Sequence, residues 1–150
     1  MLKVISRAPT DAQPLFESIV DAALRLLPAT LTALLQREND AYRLAATAST
    51  DVTRHKRTVD GHPPLVPIDP AANFPSRVFV TKQLLHIPDW SAIELPAHEA
   101  SVFAGTGVHS SLMLPLVCDG DCVGVLAIAH PQGHAYNQGE IAAAQSFVGQ

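Results

Sequence analysis

Four residues late in the chain have the types and order of a metal site. Cys118-x3-Cys122 is followed by His130-x3-His134, superficially the ligand order of a Cys2His2 zinc centre. The chain between them argues otherwise. If Cys122 to His130 is one β-strand, its ends lie roughly 26 Å apart at about 3.3 Å per residue, beyond the reach of a shared ion. No metal is therefore expected. The cysteines have a second candidate chemistry, because a three-residue loop Asp119-Gly120-Asp121 would set Cys118 opposite Cys122, within disulfide reach for some hairpin pairs. In a reducing cytoplasm both would be thiols. Asp119 and Asp121 beside them disfavour the thiolate, so two inert thiols are expected rather than a nucleophile. The sequence has no Ser/His/Asp set in a nucleophile turn, no phosphate-cradling glycine loop and no paired carboxylates in a defined frame. No catalysis is expected of the chain itself.

The element that positions these residues is a hairpin. Val108 to Cys118 and Cys122 to His130 are almost wholly apolar runs, and Asp119-Gly120 between them supplies the positive-φ positions of a tight turn. Apolar residues on successive positions predict strands covered on both faces, at the centre of a sheet. Ahead of it, Thr10 and Asp11 are N-cap residues and Pro14 suits a first helical turn. Leu15, Phe16, Ile19, Val20, Ala23, Leu26 and Leu27 then form one apolar stripe that ends at Pro28. Ala29–Gln36 and Ala41–Thr47 flank Glu38-Asn39-Asp40 as a second hairpin, although their Leu and Ala content also suits a helix.

Between positions 63 and 75 five prolines break any long element, and a short helix is expected over Asp51–Val59. Phe74–Lys82 reads as a short helix with Val78 and Phe79 inward, and Leu84–Ile87 as a brief strand stopped by Pro88. Asp89 stands where its carboxylate can accept N–H groups of the next turn, beside the only tryptophan, Trp90. Ala97–Ala104 is a further candidate helix, ended by Gly105-Thr106-Gly107. After the turn Pro131-Gln132-Gly133, Asn137 and Glu140 have capping-box spacing, with Ile141, Ala144, Phe147 and Val148 on one face of the last helix.

The resemblance lies in these same residues. Ser110-Ser111, then Leu112-Met113-Leu114-Pro115-Leu116, an acidic-glycine turn and Val123-Gly124-Val125-Leu126-Ala127-Ile128-Ala129 resemble the signature hairpin of GAF domains, the sensory modules of signalling proteins. Three further stretches are similar to the subgroup in bacterial histidine kinases, nucleotide cyclases and related sensors. They are Val4–Asp11 with Gln13-Pro14; His86-Ile87-Pro88-Asp89; and Tyr136-Asn137 leading into Ile141 and Phe147. Together they cover nearly the whole chain.

The resemblance implies an α+β, PAS-like GAF fold. Its central antiparallel sheet has five or six strands, with terminal helices on one face and loops or short helices over a pocket on the other. It also implies that residues 1–150 are a single domain excised from a larger signalling protein, residues 1–9 ending an upstream linker and 138–150 beginning a helix that runs on. The terminal helices would carry a signal to an output domain in cis and pair with a second copy, giving a homodimer.

Strand alternation then divides the hairpin. Leu112, Leu114 and Leu116 should meet the terminal helices, while His109, Ser111 and Met113 face the covering loops. With Phe79, Asp89, Trp90 and Phe103 these are the candidate ligand-binding residues, a mixed lining that suits a small, mostly apolar molecule. The same residues would equally serve as a second core, with Ser111 on backbone and His109 on a neighbouring carbonyl. The alternative function is accordingly a ligand-free dimerisation spacer.

Other branches of the family fit less well. Free methionine-R-sulfoxide reductases use cysteines in the loops before the central hairpin, and residues 73–109 contain none. Covalent bilin is disfavoured for the same reason. The Asn-Lys-Phe-Asp-Glu set of cyclic-nucleotide binders is not reproduced. Haem is the weaker cofactor reading, resting on His86, His98 and His109 near the expected pocket. No cofactor is expected.

Composition sets outer bounds. The chain has 150 residues, 47% hydrophobic and 16% charged, enough for one domain with a real core. A net charge of −4 with no basic cluster beyond Arg54-His55-Lys56-Arg57 argues against a nucleic-acid partner. No apolar run approaches the length that spans a bilayer and no leader pattern is present, so a cytoplasmic protein without membrane contact is expected.

Overall fold

The structure is a computed structural model; it describes residues 13–27, 29–50, 64–100, 108, 110–130 and 136–148. Helix α1 (Gln13–Leu26) is followed by strands β1 (Leu31–Glu38) and β2 (Ala41–Ser49), then β3 (Val66–Pro67), helix α2 (Phe74–Thr81) and β4 (Leu85–Ile87). A 3-10 turn (Trp90–Ala92) and a helical turn at residues 97–100 precede β5 (Ser110–Cys118), β6 (Asp121–His130) and helix α3 (Gln138–Val148). The expected caps Thr10 and Asp11, the helix over 51–59, the end of the helix over 97–104, the glycine turn 105–107 and the turn at 131–133 lie outside the described residues.

The strands form one six-stranded sheet in the order β3-β2-β1-β6-β5-β4, every neighbouring pair antiparallel. The β5–β6 hairpin sits inside it, as its doubly apolar strands require. Its turn is a two-residue loop, Asp119 (φ 54°) and Gly120 (φ 84°), so Cys118 pairs with Asp121 rather than Cys122. The three-residue loop that would have opposed the cysteines is thus not formed, and neither cysteine is in a disulfide.

Each face of the sheet carries its own core. On one face Phe16, Val20 and Ala23 of α1 and Ala144 of α3 pack against Leu112, Leu114, Leu116, Leu126 and Ile128. On the other, Phe74, Val78 and Phe79 of α2 and Trp90 pack with Met113, Val125 and Ala129. The alternation expected of β5 holds, and both terminal helices lie on the leucine face. The α1 stripe is narrower than its spacing implied, since Leu26 is 66% exposed.

Two bulges reverse the alternation elsewhere. Ala45 is an extra residue in β2, between the pairs Leu34↔Ala46 and Leu35↔Leu44, and Val123 is an extra residue in β6, between Leu116↔Gly124 and Val117↔Cys122. Beyond each bulge the odd and even positions exchange faces. Tyr42 and Cys122 consequently join the cluster around Trp90.

The short elements are held by caps. Asn73 Oδ1 accepts the Ser76 N–H at 2.9 Å to start α2, and Lys82 ends it in the left-handed region. The capping box of α3 forms in both directions, Asn137 Oδ1 accepting from the Glu140 N–H and Glu140 Oε1 from the Asn137 N–H. β3 was not foreseen, because a two-residue edge strand containing Pro67 has no periodicity to read.

Candidate functional site

A cavity of about 150 Å³ lies between the sheet and the elements over its α2 face. Its floor is Leu31, Ala33 and Leu35 of β1, Ala127 and Ala129 of β6, and Ser111 and Met113 of β5. Small side chains on β1 and β6 leave the space that a leucine or valine would fill. Pro75, Trp90, His98, Glu99 and Val108 line it from the other side, and it is partly open. The walls are nearly all hydrocarbon, with few polar atoms.

Of the residues expected here, Trp90, Ser111 and Met113 line the cavity. Trp90 donates its indole N–H to Ser111 Oγ at 2.9 Å, so the serine accepts from a side chain rather than serving only backbone. The Trp90 ring also meets Phe74 edge-on at 5.4 Å. Phe79 does not line the cavity; it is buried beside it, stacked on Tyr42 at 5.4 Å. Asp89 is exposed and serves as a cap, its Oδ1 accepting from the Ser91 N–H at 2.9 Å and the Ser91 hydroxyl at 2.6 Å. Phe103 and His109 lie outside the described residues.

The histidines separate in the same way. His98 stands in the cavity wall. His86 pairs with Leu112, away from the cavity, and its Nε2 accepts the Tyr136 N–H at 3.3 Å. Burial holds its pKa below the ordinary histidine value, which favours the neutral ring that this bond requires. Cys122 and His130 stand near opposite ends of β6, as the strand geometry demanded. Cys122 is wholly buried, and desolvation raises its thiol pKa despite nearby Arg37 and Lys82. Neither cysteine is in the cavity wall.

Glu99 was missed. It is 2% exposed, and its Oε2 accepts the N–H of Phe74, the first residue of α2, at 3.0 Å. Burial pushes its carboxyl pKa up, against the lowering effects of that hydrogen bond, of His98, of its own backbone N–H and of Arg77. The only signal available was a carboxylate in a candidate helix next to the covering region, which an exposed helix face would share.

Comparison with known proteins agrees with this architecture. Residues 11–150 match the GAF domain family. The GAF domain of a phosphoenolpyruvate-protein phosphotransferase from Coxiella burnetii superposes with a TM-score of 0.71 at 16% identity, covering 96% of this chain and 81% of that one. The GAF domain of a two-component sensor histidine kinase from Bacillus halodurans gives 0.69 at 14% identity, over 92% and 87%. A type II free methionine-R-sulfoxide reductase from Thermoplasma acidophilum gives 0.70 at 11% identity, over 99% and 90%. No curated protein matches the sequence. With its profile match spanning all but the first ten residues, and a six-stranded antiparallel sheet bearing helices on both faces, this chain belongs to the GAF domain family.

Proposed function

We propose that this domain is a regulatory sensor module that takes a small, mostly apolar molecule into the cavity and passes its occupancy through the terminal helices to an output domain in the same polypeptide. One observation carries the reading. Along β5, Ser111 and Met113 line the cavity while Leu112 and Leu114, the alternate residues, form the seat of α1 and α3. A ligand that shifts β5 therefore acts on the helix core through the same backbone. Coupling of this kind needs only that the two states bind the ligand unequally. The helices also offer a surface on which a second copy could pair. Two cysteines outside any disulfide suit a reducing cytoplasm, and no helix among the described residues is long and apolar enough to cross a membrane.

A non-catalytic role fits the placement of the cysteines, both outside the cavity wall and one wholly buried. A test of the sensor reading uses benzyl alcohol as a neutral cavity probe. It should raise the melting temperature of the domain by linkage and alter amide exchange in α1 and α3. Ala129→Phe, which fills the floor, should abolish both effects. No rise in melting temperature would favour the ligand-free dimerisation spacer, and a rise with unchanged helix exchange would overturn the relay through the terminal helices. Reduction of free methionine sulfoxide, lost in Cys118→Ser or Cys122→Ser, would overturn the non-catalytic role.

A further inference from the structure

Glu99, a residue of the cavity wall, carries a buried oxygen whose bonding is incomplete. Glu99 Oε2 is engaged by the Phe74 N–H, but Oε1 is buried and without a hydrogen-bond partner among the described residues. Leaving a carboxyl oxygen in this condition costs on the order of 1–3 kcal/mol. The neighbouring polar groups do not relieve it. Trp90 gives its N–H to Ser111. Arg77 of α2 lies over the Phe74 ring at 5.0 Å and donates its Nε–H to the Pro70 carbonyl. His98 Nε2 is 4.0 Å from Oε2, beyond hydrogen-bond reach, on a side chain 42% exposed. Tyr42 of β2 feels the Glu99 charge, and its own hydroxyl is buried without a partner.

We infer that Glu99 anchors the ligand, and that the cavity takes a small apolar amine whose protonated nitrogen donates to Glu99 Oε1 while its hydrocarbon part lies against Met113, Ala127 and Ala129. The inference rests on the cavity being a ligand site, as proposed above. The volume matches a cavity of about 150 Å³ that holds benzene, so one ring with a short arm fits. Charge sets the selectivity. An anion would meet the carboxylate, a neutral hydroxyl could donate to Oε1 but would leave its charge uncompensated, and a cation supplies both the missing donor and the countercharge. Because burial favours the protonated acid in the empty cavity, binding of the ammonium expels that proton to solvent, leaving the carboxylate paired.

Calorimetry on the domain with benzylamine, benzyl alcohol and benzoate tests the assignment. Benzylamine should bind more tightly than benzyl alcohol, and benzoate should not bind. Benzylamine affinity should rise with pH by up to about tenfold per unit until the Glu99 carboxyl is ionised, with one proton released. Glu99→Gln retains an oxygen for the Phe74 N–H and should weaken benzylamine by about tenfold or more while sparing benzyl alcohol. Equal binding of both probes to the wild type and to Glu99→Gln would overturn the role of Glu99 and leave the cavity intact. Failure of both probes to bind the wild type would overturn the cavity reading itself. If Glu99→Gln folds poorly, the wild-type profile decides: a benzylamine-to-alcohol affinity ratio independent of pH, without proton release, refutes the anchor.

Discussion

Trp90 and Ser111 meet through an indole N–H to hydroxyl bond of 2.9 Å, joining the 3-10 turn to β5 on the cavity wall, with both residues at most 3% exposed. The bond fastens to the sheet a turn of only three residues that the Asp89 cap closes. Ser111→Ala leaves the indole N–H buried without an acceptor, and should destabilise the domain by about 1–3 kcal/mol in urea unfolding. Trp90→Phe removes the donor, so the second substitution added to the first should cost less than it does alone, with a coupling of about 1 kcal/mol. Additive losses would mean that the bond carries no net stability.

Two glycines of the β5–β6 hairpin are needed for different reasons. A Cβ at Gly124 would stand 2.9 Å from the Leu35 carbonyl oxygen and 3.2 Å from Leu116 Cδ1, so β1 and β6 could not keep their spacing. At Gly120 a Cβ meets nothing within 4 Å, but φ is +84°. Gly124→Ala should therefore destabilise through crowding by about 1–3 kcal/mol, and Gly120→Ala through backbone strain by about 1–2 kcal/mol. Gly120→Asn should recover part of the loss, whereas no side chain at position 124 should do so. Denaturant midpoints of the three variants distinguish the two causes.

Stability should respond to pH in opposite senses at His86 and Glu99. Burial lowers the His86 pKa from 6.5, so its contribution is full above 6.5 and is lost as pH falls through the lower native value, where protonation also breaks the Tyr136 bond. Burial raises the Glu99 pKa from 4.5, so its contribution is full below 4.5 and is lost as pH rises through the native value. In urea unfolding across this range, His86→Asn should flatten the acid limb and Glu99→Gln the loss on the alkaline side. An unchanged acid limb in His86→Asn would assign that limb to other groups.

Much of this architecture was readable in local chemistry. Asp119-Gly120 could only be a tight turn, Asn137 and Glu140 were spaced to cap each other, and the leucines of β5 alternated with Ser111 and Met113. Each of these is decided within a few residues, by backbone sterics or by the two-residue period of a strand. Trp90, Ser111 and Met113 accordingly lie on the face that the strand period and the covering region imply.

What remained belonged to the packed chain. The bulges at Ala45 and Val123 arise from pairing with β1 and β5, and no period within β2 or β6 announces them, yet they decide that Tyr42 and Cys122 turn toward Trp90. Phe79 was correctly inward, but its inward side is the ring of Tyr42 rather than the cavity. Glu99 looked like any acidic residue on a helix. Docking that helical turn against the start of α2 buried it, because a carboxylate's solvation depends on what another segment brings against it, and nothing local to the residue states that.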